Sequence, residues 1–128
     1  MNDKVIITPL TLYAQHERGK TMLFDNQRTG EFILGYRVKD SISGRHYHTG
    51  AAGYKNPEVL ILISGSIQLK TIDLDTKNEQ VVMIEEPSCI EIFAMVWHEV
   101  LALTDCVFLE MNSIADCEAD THKLEQTV

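Results

Sequence analysis

The chain lacks positive charge. Eleven Lys and Arg stand against nineteen Asp and Glu, a net charge of −8. A protein that grips nucleic acid by its phosphates wants the opposite balance, so no nucleic-acid partner is expected. An anionic ligand would need a local cluster of Arg or Lys working against the overall field. Long apolar runs are missing too. No stretch reaches the ~20 residues of a membrane helix, so no membrane partner is expected. Met1-Asn2-Asp3-Lys4 has no signal-peptide character. The cysteines, Cys89, Cys106 and Cys117, are odd in number and form no Cys-x-x-Cys pair. That pattern argues against a disulfide framework or a zinc knuckle, and free thiols fit a cytoplasmic protein. Long helical periodicity is also absent, apart from a weak pattern from Ile114 to Gln126.

What is present suits one folded domain spanning residues 1–128. Hydrophobic residues make up 45% of the chain, too many for disorder by composition. The apolar pattern is short and alternating. It predicts strands at Val5–Ile7, Thr21–Phe24, Glu31–Val38, Arg45–His48, Val59–Ser64, Ser66–Asp73, Gln80–Ile84, Cys89–Phe93, His98–Leu103 and Val107–Asn112. Turn signals fall between them, with Gly65 making one hairpin and Asp75-Thr76-Lys77-Asn78 another. Pro87 sits between two strands, where a missing amide donor does no harm. The fold class expected is all-β, a single antiparallel sandwich or barrel. A short irregular or helical tail should follow it.

The candidate site is Arg45-His46-Tyr47-His48 with Glu58, Gly65 and His98. In a strand, His46 and His48 share one face while Arg45 and Tyr47 share the other. Glu58 opens the next strand, separated from Gly65 by six residues, and His98 arrives fifty residues after His48. Three imidazoles and one carboxylate suit a divalent transition metal such as Zn, Fe, Ni or Mn. Without metal the same groups can move protons near neutral pH. Both uses remain open at this stage. Plainer roles fit the rest. His16 and His122 are isolated, the cysteines read as small packing residues, Glu85-Glu86 as a solvated turn, and Met83, Met95 and Met111 as core.

His-x-His, then Glu, six residues, then Gly resembles the first motif of the cupin superfamily. Pro87 and His98 keep part of its second motif. Within the cupins the chain is most similar to the RmlC-like nucleotide-sugar branch, the dTDP-4-keto-6-deoxyhexose 3,4-ketoisomerases and, more distantly, the 3,5-epimerases. The pieces that carry this are Glu17-Arg18-Gly19 with Thr21–Phe24, Phe32 through Val38, Leu62-Ile63-Ser64-Gly65-Ser66, Val96-Trp97-His98-Glu99 and Asp105-Cys106-Val107. The resemblance implies a jelly-roll-like double-stranded β-helix, often dimeric. It implies an isomerase with His46 and His48 as acid and base and a dTDP-sugar as the small-molecule substrate. Arg37 and Trp97 are then expected in the substrate pocket, Arg37 or a histidine kept protonated as the oxyanion donor and Trp97 as a wall of the pocket, or core, rather than a participant. The alternative is a metal-dependent cupin with His46, His48, Glu58 and His98 as ligands, or a non-enzymatic sugar-binding one. Three departures stand out. Nine residues, Thr49 to Pro57, separate His48 from Glu58 where cupins have three or four, so a longer lip is expected at the mouth. Ser43 stands where the ketoisomerases have Arg, and Glu58 where they tend to have Gln.

Overall fold

A computed structural model describes residues 3–124. The end of the expected Ile114–Gln126 pattern lies outside them. Eleven strands and one short helix follow in order: β1 (Val5–Pro9), β2 (Thr11–His16), β3 (Gly19–Leu23), β4 (Ile33–Arg37), β5 (Ile42–His46), β6 (Glu58–Ser64), β7 (Ile67–Asp73), β8 (Glu79–Ile84), β9 (Ser88–Ile92), β10 (Val96–Ala102), β11 (Cys106–Glu110) and α1 (Ile114–Ala119). β1-β9-β6-β11-β4 form one sheet, β5-β10-β7-β8 a second, and β2-β3 a separate hairpin. All pairings are antiparallel. This is the expected all-β double-stranded β-helix with a short C-terminal helix.

Strict alternation builds the core. In β7, Ile67, Leu69, Thr71 and Asp73 point inward, and in β9 Ser88, Ile90 and Ile92 do the same. Leu60, Leu62, Ile67, Leu69, Ile84, Ile90, Ile92, Val96, Ala102 and Cys106 fill the space between the two large sheets. Gly65 joins β6 to β7 at φ +91°. A Cβ there would sit 2.4 Å from the Asp105 carbonyl oxygen, so only glycine fits the turn. The helix begins where chemistry allows. Ser113 and Asp116 form a reciprocal capping box that satisfies two of its free amides.

Two expectations change. Thr11–His16, outside the expected strands, forms β2, paired with β3 in a hairpin that exposes Leu12, Tyr13 and Leu23. It lacks a buried face, so its pattern carries no core signal. Met83 is not core. It lies on the outer face of edge strand β8 and is 55% exposed. No helix among the described residues is long and apolar enough to cross a membrane.

Candidate functional site

β5 reaches the site through a bulge. β10 pairs His98 with His46 but Glu99 with Gly44, so Arg45 is the extra residue. It adopts φ +61° and turns outward to Glu99, with Nε 2.7 Å from Oε1. His46 is left facing the interior. β5 ends there, and Tyr47 continues as an isolated bridge to His122. The Tyr47 and His122 rings lie 5.5 Å apart, outside the site. His48 is thereby carried back to the same side as His46, as period two demands. β6 supplies Glu58 and β10 supplies His98.

The four side chains converge. One nitrogen or oxygen from each of His46, His48, Glu58 and His98 lies within 4.8 Å of the others. The three rings are 4.8 to 5.2 Å apart between centroids. His48, Glu58 and His98 are each 2% exposed. His98 Nε2 stands 3.3 Å from Glu58 Oε2, and His48 Nε2 packs against the same oxygen. Yet none of these three atoms completes a hydrogen bond. The opposite ring nitrogens explain why. His48 Nδ1 meets the Asp120 carbonyl at 2.5 Å, and His98 Nδ1 meets the Val96 carbonyl at 3.0 Å. A carbonyl only accepts, so each Nδ1 carries the hydrogen, and Nε2 of a neutral ring offers a lone pair. Two lone pairs then face a carboxylate oxygen. Buried acceptors arranged this way need a cation between them, either a proton or a metal.

The donor set fits a metal ion. A span of 4.8 Å is close to twice a metal–ligand bond of ~2.1 Å. Three imidazoles and a carboxylate suit a first-row divalent ion, and two of the rings already have the backing hydrogen bonds such ligands use. Charge supports either occupant. Burial, helped by the adjacent His98 ring, pushes His46 down to about 4, so it is neutral at pH 7. Burial alone would raise the Glu58 carboxyl, but the neighbouring His98 and the ammonium of Lys55 hold it well below the usual range.

A cavity of about 130 Å³ opens onto this cluster. Leu60, Leu62, Ile67, Ile90, Val100 and Phe108 make its apolar wall, and His46, Glu58, His98, Arg37, Ser43 and Glu110 its polar groups. Arg37 lines this cavity, with Nε donating to Ser43 Oγ at 2.9 Å and its guanidinium 5.0 Å from the centre of the Phe108 ring. Ser43 thus anchors an arginine arriving from β4. His48 sits behind the wall and does not line the cavity. Trp97 needs correction. Val96 and His98 point inward, so alternation turns Trp97 to the outer face, where Lys70 Nζ lies 6.0 Å from its ring centre. The long lip is also corrected. No residue from Thr49 to Pro57 lines the cavity. That segment folds back beneath Glu58 and buries Lys55, whose Nζ is 3.7 Å from Glu58 Oε1. Arg28 holds its outer side, donating to the Tyr54 and Pro57 carbonyls.

Glu110 escaped the sequence reading. Burial and the charge of Glu58 raise its carboxyl, which makes it a candidate proton donor in the cavity wall. A signal existed, because Cys106, Phe108 and Glu110 share one parity on β11 and the first two are apolar. Lys55 left no such signal. Cys106 packs in the core while Cys89 and Cys117 are half-buried, and burial raises all three thiols.

The site sets a pH response for the metal-free protein. The unfolded chain protonates its His46 near the ordinary 6.5, and the folded chain only near 4. Stability from the neutral ring is therefore present above pH 6.5 and is lost as pH falls toward 4. Glu58 and Asp120 are also held below their usual values, so they act in the same direction at lower pH. Calorimetry of metal-free protein should give a flat melting temperature above pH 7 and a steady decline below pH 6.5. A constant value from pH 7 to 4.5 would contradict this.

No protein-family model matches the chain, and no curated protein matches it by sequence. Solved structures do match. One is a point variant of the 3,4-ketoisomerase of Thermoanaerobacterium thermosaccharolyticum bound to TDP-4-keto-6-deoxyglucose; it is 20% identical, covers 97% of this chain and 90% of its own, and has a TM-score of 0.75. The 3'-monoepimerase ChmJ of Streptomyces bikiniensis with dTDP-quinovose is 12% identical over 95% of this chain and 70% of its own, at 0.77. The TDP-quinovose 3,4-ketoisomerase of Campylobacter jejuni is 18% identical over 98% and 90%, at 0.66. The chain has the RmlC-like fold of the dTDP-sugar 3,4-ketoisomerases and epimerases.

Proposed function

We propose that the chain is a keto-sugar isomerase or epimerase that takes a nucleotide-linked 4-keto-6-deoxy sugar. The observation that carries this reading is a neutral, half-buried His46 lining a cavity of about 130 Å³. Solved proteins with this fold are seen with TDP sugars. A space of that size takes one sugar ring, with the nucleotide outside. The six apolar wall residues suit a deoxy methyl group. His46 takes the proton from the carbon beside the ketone, and the electron pair moves onto the ketone oxygen. The Arg37 guanidinium faces the developing enediolate. The proton returns to the former ketone carbon, and the hydroxyl proton passes to the other oxygen, so atoms and charge balance. His46 is the group that returns the proton to carbon, and Glu110, whose carboxyl is raised by burial, relays the hydroxyl proton between the two oxygens and ends in the state in which it began. His48 acts through Glu58 from behind the wall.

The test is incubation with TDP-4-keto-6-deoxyglucose in deuterium oxide. Proton NMR should show deuterium entering beside the ketone, and His46→Asn should slow this by roughly 100-fold or more. No exchange, together with no thermal shift from any TDP sugar, overturns the reading.

A second reading rests on the three buried atoms without hydrogen bonds, His48 Nε2, Glu58 Oε2 and His98 Nε2. Here His46, His48, Glu58 and His98 would hold one divalent transition metal, Zn, Fe, Ni or Mn. Such an ion would supply Lewis-acid polarisation of a carbonyl oxygen. Elemental analysis of purified protein should then find about one metal per chain. Protein that stays metal-free after incubation with each ion sinks this reading. In either case the partner in solution would be a second copy of the chain. The exposed Leu12, Tyr13, Leu23 and Phe24 around the β2-β3 hairpin support that.

A further inference from the structure

We propose that Asp120 is a positioning residue: its carboxylate ties the segment after His48 to the end of the C-terminal helix and so fixes which nitrogen of His48 faces the cluster. The inference rests on the reading that the His46, His48, Glu58 and His98 cluster is the reactive centre.

Asp120 is the C-cap of α1 and is 0% exposed. Its Oδ1 accepts from Thr49 N and from Thr49 Oγ1, both at 2.8 Å. Its Oδ2 accepts from Gly50 N at 2.8 Å and from Ala52 N at 3.2 Å. A buried carboxylate with four donors is a strong fixed point. Burial alone would raise this carboxyl, and the donors overcome that and hold it far below its usual range. The same residue's carbonyl receives His48 Nδ1 at 2.5 Å. One residue therefore grips both the ring and the segment that follows it. His122 closes the arrangement, with backbone bonds in both directions to Tyr47 and Nε2 3.2 Å from Asp120 Oδ1.

A consequence follows for His48. With Nδ1 donating to that carbonyl, Nε2 is the nitrogen that points at Glu58. If the carboxylate lets go of Thr49 to Ala52, the carbonyl moves and the ring can take either tautomer. The Thr49–Pro57 segment and the end of α1 at Asp120 are thus one device. The extra residues need an anchor, and Asp120 is that anchor.

Asp120→Asn tests this. Its amide nitrogen would face the Gly50 and Ala52 amides, donor against donor, while its bulk stays the same. In metal-free wild type, ring nitrogen-15 NMR should show a single His48 state with hydrogen on Nδ1. In Asp120→Asn the two nitrogens should move toward averaged shifts. Binding of Co²⁺, used as the probe ion, should weaken about 10- to 100-fold. Thr49→Val, which removes one of the four bonds, should move both readouts the same way by less. If Asp120→Asn does not fold, Thr49→Val decides alone. Unchanged nitrogen shifts in the folded variants overturn the proposal. Wild type that binds no Co²⁺ counts against the metal reading of the cluster, while the nitrogen shifts still decide the role of Asp120.

Discussion

Lys55→Met should cost the protein about 3 to 5 kcal/mol of stability, read as a fall in the urea midpoint. The size follows from where the ammonium sits. Lys55 ends a short 3-10 turn, Gly53–Lys55, and is 1% exposed. A lysine is rarely buried that far without a partner. Its Nζ lies 3.7 Å from Glu58 Oε1, the oxygen that does not face the histidines. Glu58 itself is 2% exposed. Methionine keeps most of the stem's volume and removes the charge, so lost packing contributes little. The loss comes from a buried carboxylate stripped of one counter-charge. The double variant Lys55→Met/Glu58→Gln should therefore recover part of it, with a coupling of about 1 to 3 kcal/mol. A single variant within about 1 kcal/mol of wild type, or a strictly additive double variant, would show that the pair carries no such weight.

The sequence made the position of the centre readable because its signals are local. Period two puts His46 and His48 on one side, and that survives even though β5 stops at His46. Gly65 marks the turn after β6, and its φ of +91° shows why glycine stands there. The strands with a buried face were legible for the same reason, since alternation is a property of neighbours. β2 was missed because it has no buried face to alternate against. The bulge at Arg45 was hidden too. It depends on pairing with β10, more than fifty residues later. Lys55 and Asp120 act through partners that no spacing rule predicts. Asp120 reaches Thr49 from seventy-one residues away, and nothing local marks Lys55 as buried until its loop is seen to fold inward. Trp97 went the other way. A tryptophan beside a ligand-type histidine suggests a pocket wall, but adjacency in a strand means opposite faces.

Glu58→Gln should separate the two chemistries of the site. Glutamine has nearly the same shape as glutamate and no charge. In the metal reading the carboxylate is the anionic ligand among three neutral rings. Its loss should lower divalent-metal affinity on the order of 100-fold or more, beyond what a supporting hydrogen bond is worth. Metal content after dialysis should fall from about one per chain to near zero. In the proton-transfer reading the cavity, His46 and Glu110 stay in place. The resemblance to ketoisomerases, which tend to carry glutamine here, implies that exchange of deuterium beside the ketone should persist within about tenfold, well short of the loss expected when a group that transfers the proton is removed. The variant leaves the Lys55 ammonium buried opposite an amide, so stability should fall. Lys55→Met on the same chain should restore it and keep the comparison between folded proteins. A chain that loses metal and exchange together runs its reaction through a metal. A chain that binds no metal, yet still exchanges after Glu58→Gln, works by its histidines alone. Retained metal affinity in Glu58→Gln would remove Glu58 from the ligand set and leave the three histidines as the site.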